Sequence, residues 1–114
     1  MKNDISVDFR IIEELCRVIA ERREKMPAGS YTTYLFEQGE DKILKKVGEE
    51  AAEVIIAAKN DSTKELAGEA ADLLYHLLVL LCAKGLSLHE VLDELRVRRE
   101  KSLFAAKCGM SKSR

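Results

Sequence analysis

The sequence has few of the residues that break helices and few of those that build sheets. It contains one proline, six glycines and no tryptophan, and only 5% of its residues are aromatic. Charged residues make up 34% and hydrophobic residues 46%, and Ala, Leu, Glu and Lys are prominent. This composition favours a few long helices, and no stretch of useful length alternates between apolar and polar residues as a strand would.

Paired cysteines, an apolar leader and a strong net charge are also missing. Cys16, Cys82 and Cys108 are odd in number and lack C-x-x-C spacing, which argues against disulfides or zinc and for a reducing cytoplasm. The first ten residues contain no apolar run, and the longest uncharged run, 73–83, is about half a membrane span. With 19 basic and 20 acidic residues, nothing favours nucleic acid or a membrane as partner.

The chain length predicts one domain over 1–114, since 114 residues are too few for two ordinary cores. Helices are predicted at about 7–25, 31–38, 41–59 and 63–84, with a last helix from about 88 and a basic tail, about 101–114, that we expect to fray. The fold class is therefore all-α, a bundle of four to five helices with a central antiparallel hairpin. Two S-x-x-E patterns, at Ser62 and Ser87, mark helix starts as capping boxes.

The third predicted helix carries an acidic face in "KKVGEEAAEVIIAAKN", residues 45–60. Glu49, Glu50 and Glu53 lie within an arc of about 100°, and apolar residues fill the opposite side. The simplest interpretation is a set of exposed ion pairs with Lys45 and Lys46. That interpretation stays open for this helix taken alone.

The fourth predicted helix contains "EAADLLYHLLVLL" and has little polar surface for water. Glu69, Asp72 and His76 lie within an arc of about 60°, among apolar neighbours. Because a helix that is apolar nearly all round is buried, its carboxylates need a positive partner.

The hairpin brings the two acidic patterns to the same level. Glu53 and Glu69 lie equally far from the turn at Asp61, and so do Glu50 and Asp72. Converging carboxylates repel one another unless a cation joins them, and oxygen ligands without Cys or His select Mg²⁺ or Mn²⁺. Such an ion typically assists hydrolysis or transfer at a phosphoanhydride.

The pair "EEAAE" and "EAAD" looks like the signature of the all-α nucleotide pyrophosphohydrolases, the superfamily of MazG and the dimeric dUTPases. The wider text "GSYTTYLFEQGEDKILKKVGEEAAEVIIAAKN", "ELAGEAADLLYHLLVLL" and "GLSLHEVLDEL" resembles the phosphoribosyl-ATP pyrophosphohydrolases over about residues 8–97. The resemblance implies a MazG-like homodimer that converts phosphoribosyl-ATP and water to phosphoribosyl-AMP and pyrophosphate, the second step of histidine biosynthesis. It also implies a requirement for magnesium, held by Glu50, Glu53, Glu69 and Asp72.

The remaining site residues have two interpretations each. Glu49, which with Glu50 forms the candidate catalytic pair, either binds a second ion or deprotonates the attacking water. Lys45 and Lys46 either contact the departing pyrophosphate or pair with the neighbouring glutamates.

Two more segments are candidates for contact with the substrate or the ligands. Ser30 and Tyr31 begin a helix, where backbone N–H groups bind anions and the ring could stack on a base or sugar, but an ordinary helix cap has the same sequence. His76 either supports a ligand carboxylate by a hydrogen bond or is a satisfied core histidine.

Rival functions use the same residues. A house-cleaning (d)NTP pyrophosphohydrolase would share the metal site, whereas a non-catalytic helical oligomerisation module would pair its acids with lysines and bind no metal. Some members of the resembled family are fused to a zinc-dependent cyclohydrolase, the next enzyme of the pathway. We expect a separate chain to supply that activity here, because the sequence has no Cys/His metal cluster.

Overall fold

A computed structural model of the protein describes residues 8–101. It contains five helices in chain order, and no strand lies within 8–101. The helices are α1 (Arg10–Lys25), α2 (Tyr31–Gln38), α3 (Glu40–Lys59), α4 (Thr63–Ala83) and α5 (Leu88–Glu100). The all-α prediction is confirmed, while the predicted start of the first helix at residue 7 and nearly all of the basic tail lie outside the described residues.

The two predicted capping boxes differ in the structure. At the start of α5, the Ser87 hydroxyl accepts from the His89 N–H at 3.0 Å and the Ser87 N–H donates to the Glu90 carboxylate at 3.3 Å. At the start of α4, the Ser62 hydroxyl accepts from the Glu65 N–H at 3.1 Å, but only this half of the box is formed. Both serines cap their helices as predicted.

The central hairpin joins α3 to α4 through a turn at residues 60–62. Asp61 occupies the left-handed region with φ 58°, a conformation that Asp tolerates better than most residues. The short turn forces α3 and α4 to run antiparallel in contact. The acidic patterns of the two helices therefore lie side by side.

The core lies between the first four helices. Its buried side chains come from α1, α2, α3 and α4, and they are Ile19, Leu35, Ile43, Leu78 and Val79. At one end of the bundle, the Arg23 guanidinium donates to the main-chain carbonyls of Cys82 and Ala83. This contact satisfies carbonyl groups that the C-terminus of α4 leaves free, whereas α5 contributes no fully buried residue.

Helix α4 is only partly covered in the single chain. Its length and composition alone would allow it to cross a membrane, but a core helix of a soluble protein passes the same test, and α4 packs against α3 and α1. Leu74 and Leu77 on this helix remain 42% and 37% exposed. Only His76, Leu78 and Val79 of α4 are fully buried, so in the single chain the predicted burial of this helix is incomplete and a further covering surface is needed.

Candidate active site

The hairpin brings three acidic side chains together. Glu50 of α3 and Glu69 and Asp72 of α4 each place a carboxylate oxygen within 4.8 Å of the others; we call these residues the acidic triad. Glu69 and Asp72 share a face because they are three residues apart on one helix. Glu50 meets them because the antiparallel register sets it level with Asp72.

The electrostatics of the triad reflect crowding of negative charge. The pKa of Glu69 is raised above its ordinary value, first by desolvation and then by the charges of Glu53, Asp72 and Glu50. A raised carboxyl pKa means that the ionised form is disfavoured where it stands. The donor set therefore fits a hard cation, which would remove this repulsion.

Glu53, the fourth predicted ligand, lies outside the triad. Its side chain is exposed, and it does not join the set of oxygens within 4.8 Å. Its charge nevertheless contributes more to the raised pKa of Glu69 than that of Asp72 does. The structure therefore places Glu53 beside the triad.

Lys46 pairs with both glutamates of the candidate catalytic pair. Its Nζ lies 3.3 Å from a Glu50 oxygen and 3.6 Å from a Glu49 oxygen. Burial alone would lower the pKa of Lys46, but the bond to Glu50 and the nearby negative charges raise it overall. The ion-pair interpretation therefore applies to Lys46, whereas Lys45 is exposed and forms no ion pair within 8–101.

Ser30 acts as a helix cap. Its hydroxyl accepts from the Thr33 N–H at 3.1 Å and from the Arg22 guanidinium at 3.3 Å. These bonds hold α2 against α1. The Ser30 hydroxyl therefore already accepts two hydrogen bonds from the protein.

Tyr31 and His76 connect α2 to the helix that carries the triad. The Tyr31 hydroxyl and the His76 Nε2 are 2.9 Å apart, and the His76 Nδ1 lies 2.7 Å from the main-chain oxygen of Asp72. His76 is 5% exposed and fully hydrogen-bonded. Its contact with a triad residue goes to the backbone, so the geometry fits the interpretation as a satisfied core histidine better than a bond to a ligand carboxylate.

Sequence reasoning missed the contribution of Tyr75. The Tyr75 hydroxyl forms a hydrogen bond with the buried hydroxyl of Thr32, and its ring lies 6.2 Å from that of Tyr31. The only available signal was the spacing of Asp72, Tyr75 and His76, which places them on neighbouring faces of one helix. The partners on α2 are more than forty positions away in the chain, so no local pattern identifies them.

A separate apolar groove of about 780 Å³ lies between α1, α4 and α5. Leu78, Leu81, Leu88 and Leu92 are among the residues that line it. No triad residue borders this groove. Its lining has no set of oxygen ligands for a cation, so the candidate chemistry belongs to the triad.

Comparison with known proteins gives the family. Residues 12–99 match the family described as "Phosphoribosyl-ATP pyrophosphohydrolase". The chain belongs to this family. The family resemblance inferred from the wider text, which includes "GSYT", "KKVGEE" and "DLLYHLLVLL", is thereby confirmed.

Individual relatives of the chain carry two kinds of name. The "Phosphoribosyl-ATP pyrophosphatase" of Pelotomaculum thermopropionicum is 66% identical over 91 residues, which cover 80% of this chain and 93% of that protein. A protein of the same name from Clostridium botulinum is 53% identical over 80% of this chain and 83% of its own length. The "Histidine biosynthesis bifunctional protein HisIE" of Bacillus subtilis is 68% identical over 79% of this chain, but the match spans only 43% of that protein.

The bifunctional relatives bear on the next step of the pathway. This chain spans less than half of their length, but 93% and 83% of the two proteins named as pyrophosphatase alone. Both arrangements therefore occur among family members. Our expectation of a separate cyclohydrolase chain stays a prediction.

Proposed function

We propose that this chain hydrolyses phosphoribosyl-ATP to phosphoribosyl-AMP and pyrophosphate in the cytoplasm, as the second step of histidine biosynthesis. The observation that carries the proposal is the acidic triad, whose oxygens lie within 4.8 Å of one another in a chain of this family. Three crowded carboxylates offer the oxygen ligands that a hard cation prefers, and such a cation assists the attack of water on a phosphoanhydride.

We propose Mg²⁺ as the cofactor, with Mn²⁺ as a substitute. Glu50, Glu69 and Asp72 would hold the ion, and Glu53 would complete the ligand set from its position beside them. When bound, Mg²⁺ supplies a Lewis acid for the phosphate oxygens and lowers the pKa of water. The raised pKa of Glu69 supports this assignment, since a nearby cation would favour the ionised form that the crowding disfavours.

The neighbouring side chains are assigned by their exposure. The Glu49 side chain is 48% exposed and that of Glu50 12% exposed, so Glu49 faces solvent, where it either deprotonates water or binds a second ion. Lys46 would leave its glutamates for the departing pyrophosphate, which carries more charge. Lys45, which is exposed, would contact the phosphate groups of the substrate that lie nearer to solvent.

We also propose that the protein is a homodimer formed through the hairpin helices. Large apolar side chains of α3 and α4 stay in contact with solvent in the single chain, and they include Leu44, Ile55, Ile56, Leu74 and Leu77. A second subunit would cover such a surface. We propose no nucleic acid and no membrane as partners.

One assay tests the proposed function against its rivals. Purified protein with Mg²⁺ is offered phosphoribosyl-ATP and a panel of nucleoside triphosphates, and pyrophosphate release is measured. We expect rapid release from phosphoribosyl-ATP and little from the others. Cleavage of another triphosphate without cleavage of phosphoribosyl-ATP would identify a house-cleaning enzyme, and no release from any substrate would favour an oligomerisation module.

A further inference from the structure

The hydrogen bonds around His76 determine which way the Tyr31 proton points. The main-chain carbonyl of Asp72 can only accept, so the His76 Nδ1 at 2.7 Å must donate to it. In the tautomer that carries its single proton on Nδ1, Nε2 is an acceptor, and the Tyr31 hydroxyl at 2.9 Å donates to it. The hydroxyl proton of Tyr31 is thus used in the hydrogen bond to His76. The Tyr31 oxygen can only accept a further hydrogen bond.

The Tyr31 ring is engaged by its neighbours. The rings of Tyr34 and Tyr75 lie nearly parallel to it, with centroids at 6.0 and 6.2 Å, and His76 meets it edge-on at 5.7 Å. The bond between Tyr75 and Thr32 holds this cluster to the first turn of α2. The ring of Tyr31 therefore has three aromatic neighbours, while the residue is still 46% exposed.

The hydroxyl of Tyr31 is connected to the acidic triad through His76. One imidazole ring links it to the main-chain oxygen of Asp72, and the charges of Lys46 and Glu50 shift its pKa. Burial raises the pKa of Tyr31 above its ordinary value, more than the charge of Lys46 lowers it. The group therefore stays a neutral phenol beside the carboxylates.

We propose that Tyr31 is a specificity-determining residue whose hydroxyl oxygen accepts a hydrogen bond from a ribose hydroxyl of the nucleotide. This inference rests on the proposed function, in which the triad receives the triphosphate. Ribose is the group bonded directly to that triphosphate, and its hydroxyls are donors. The sequence left Tyr31 either to stack its ring on a base or sugar or to serve in an ordinary helix cap; the proposal gives the contact to the hydroxyl, because the ring already has aromatic neighbours.

The test compares Tyr31→Phe with Tyr34→Phe, a control that removes a hydroxyl from the same cluster. Binding is measured by calorimetry with Ca²⁺ in place of Mg²⁺, so that turnover does not contribute. The ligands are phosphoribosyl-ATP and two dideoxy analogues, one without the 2′- and 3′-hydroxyls of the triphosphate ribose and one without those of the phosphoribosyl group. We expect Tyr31→Phe to raise the Kd of phosphoribosyl-ATP about five- to tenfold, as for one neutral hydrogen bond, and Tyr34→Phe to leave it unchanged.

The decisive measurement is whether Tyr31→Phe loses the preference for phosphoribosyl-ATP over one of the two analogues. In the wild type and in Tyr34→Phe, one of the two analogues should bind about five- to tenfold more weakly than phosphoribosyl-ATP, and its identity shows which ribose is contacted. In Tyr31→Phe the same analogue should bind as well as phosphoribosyl-ATP, because the acceptor is gone. A merely structural role would weaken all three ligands equally and leave the discrimination intact.

Two results would overturn the inference. One is a wild-type protein that binds both analogues as tightly as phosphoribosyl-ATP, a measurement that needs no variant to fold. The other is an unchanged preference in Tyr31→Phe. Absence of turnover with Mg²⁺, combined with binding that discriminates through Tyr31, would contradict the proposed function alone.

Discussion

At the scale of single residues, the difference between Glu49 and Glu50 shows how a step of one residue along a helix separates two roles. Consecutive residues on a helix point about 100° apart, so only one of the two can face α4. Glu50 faces it, with a side chain 12% exposed, and joins the acidic triad. Glu49 remains outside with Lys46, where a water molecule or a phosphate can reach it.

The triad makes a prediction about stability without metal. Glu69→Gln should raise the Tm of the protein in EDTA, because the raised pKa of Glu69 means that its charge destabilises the folded state at neutral pH. The same variant should lose more than about 100-fold in turnover, since loss of outer-shell partners alone costs about 10- to 100-fold. Thermal unfolding with EDTA and with Mg²⁺, and the pyrophosphate assay, measure the two effects.

The sign of the pH dependence follows from the direction of the pKa shift. The destabilisation by Glu69 is fully present above its folded-state pKa and absent below the ordinary value of 4.5. The Tm advantage of Glu69→Gln in EDTA should therefore shrink as the pH falls towards 4.5. Glu14→Gln, an exposed change on α1, serves as the control with little effect; a variant no more stable than the wild type in EDTA would refute the crowding argument.

The two lysines form a matched pair for a second prediction. Lys46→Gln should lower kcat/KM about 10- to 100-fold, as for a charge-assisted hydrogen bond to the departing pyrophosphate. The affinity of the metal-free protein for Mn²⁺, measured by electron paramagnetic resonance, should rise, because Lys46 no longer neutralises Glu50.

Lys45→Gln is the comparison for Lys46, since Lys45 is exposed and makes no ion pair in the region from 8 to 101. We expect a smaller loss of kcat/KM and no change in Mn²⁺ affinity. A Lys46→Gln enzyme with tighter Mn²⁺ binding and undiminished kcat/KM would show that this lysine serves only as a counter-ion.

At the scale of helices, the hairpin was predictable because its information is local. The spacing of Glu50 and Glu53 before the turn and of Glu69 and Asp72 after it, with a capped start at Ser62, is enough to set the register. What could not be predicted is the packing of α2 on α4. Its contacts join residues such as Tyr31 and His76 that lie 45 positions apart, and the packing of the whole bundle decides them.

Gly48 in the middle of α3 gives a prediction about this helix. A Cβ at this position would meet no protein atom within 4 Å, so no other helix of the described chain approaches it. Gly48→Ala should then raise the free energy of unfolding by about 0.5–1 kcal/mol, the ordinary helix preference for Ala. Urea unfolding measures the change.

Gly39 provides the opposite control for Gly48. It has φ 95° between α2 and α3, a conformation that costs an L residue strain, so Gly39→Ala should destabilise the protein by about 1 kcal/mol or more. A stability gain in Gly48→Ala with lost turnover would indicate that substrate or a second subunit approaches this glycine. A loss of stability would contradict the open environment around it.

At the scale of the whole molecule, the single chain is incompletely covered. Its fully buried apolar residues within 8–101 are few, and Ile55 on α3 is 64% exposed. Ile55 lies on the same side of α3 as Leu44 and Gly48, given about 100° per residue. An apolar helix face with a small residue at its centre is a surface that another helix can approach closely.

The proposed dimer therefore predicts the effect of one charge on this face. Ile55→Glu should raise the dimer dissociation constant at least about 10- to 100-fold, because the interface would have to bury an unpaired carboxylate. The exposed position of Ile55 means that the folded monomer tolerates the change, so circular dichroism should be unaltered. Sedimentation velocity at micromolar concentration measures the shift from dimer to monomer.

Leu95→Glu on α5 separates the hairpin from other apolar surfaces. Leu95 is 47% exposed and lies outside the hairpin, so its replacement should leave the dimer intact. A wild type that sediments as a monomer would contradict the dimer itself. A dimer broken by Leu95→Glu and not by Ile55→Glu would place the interface on α5, and α4 would then be covered from the side of the apolar groove.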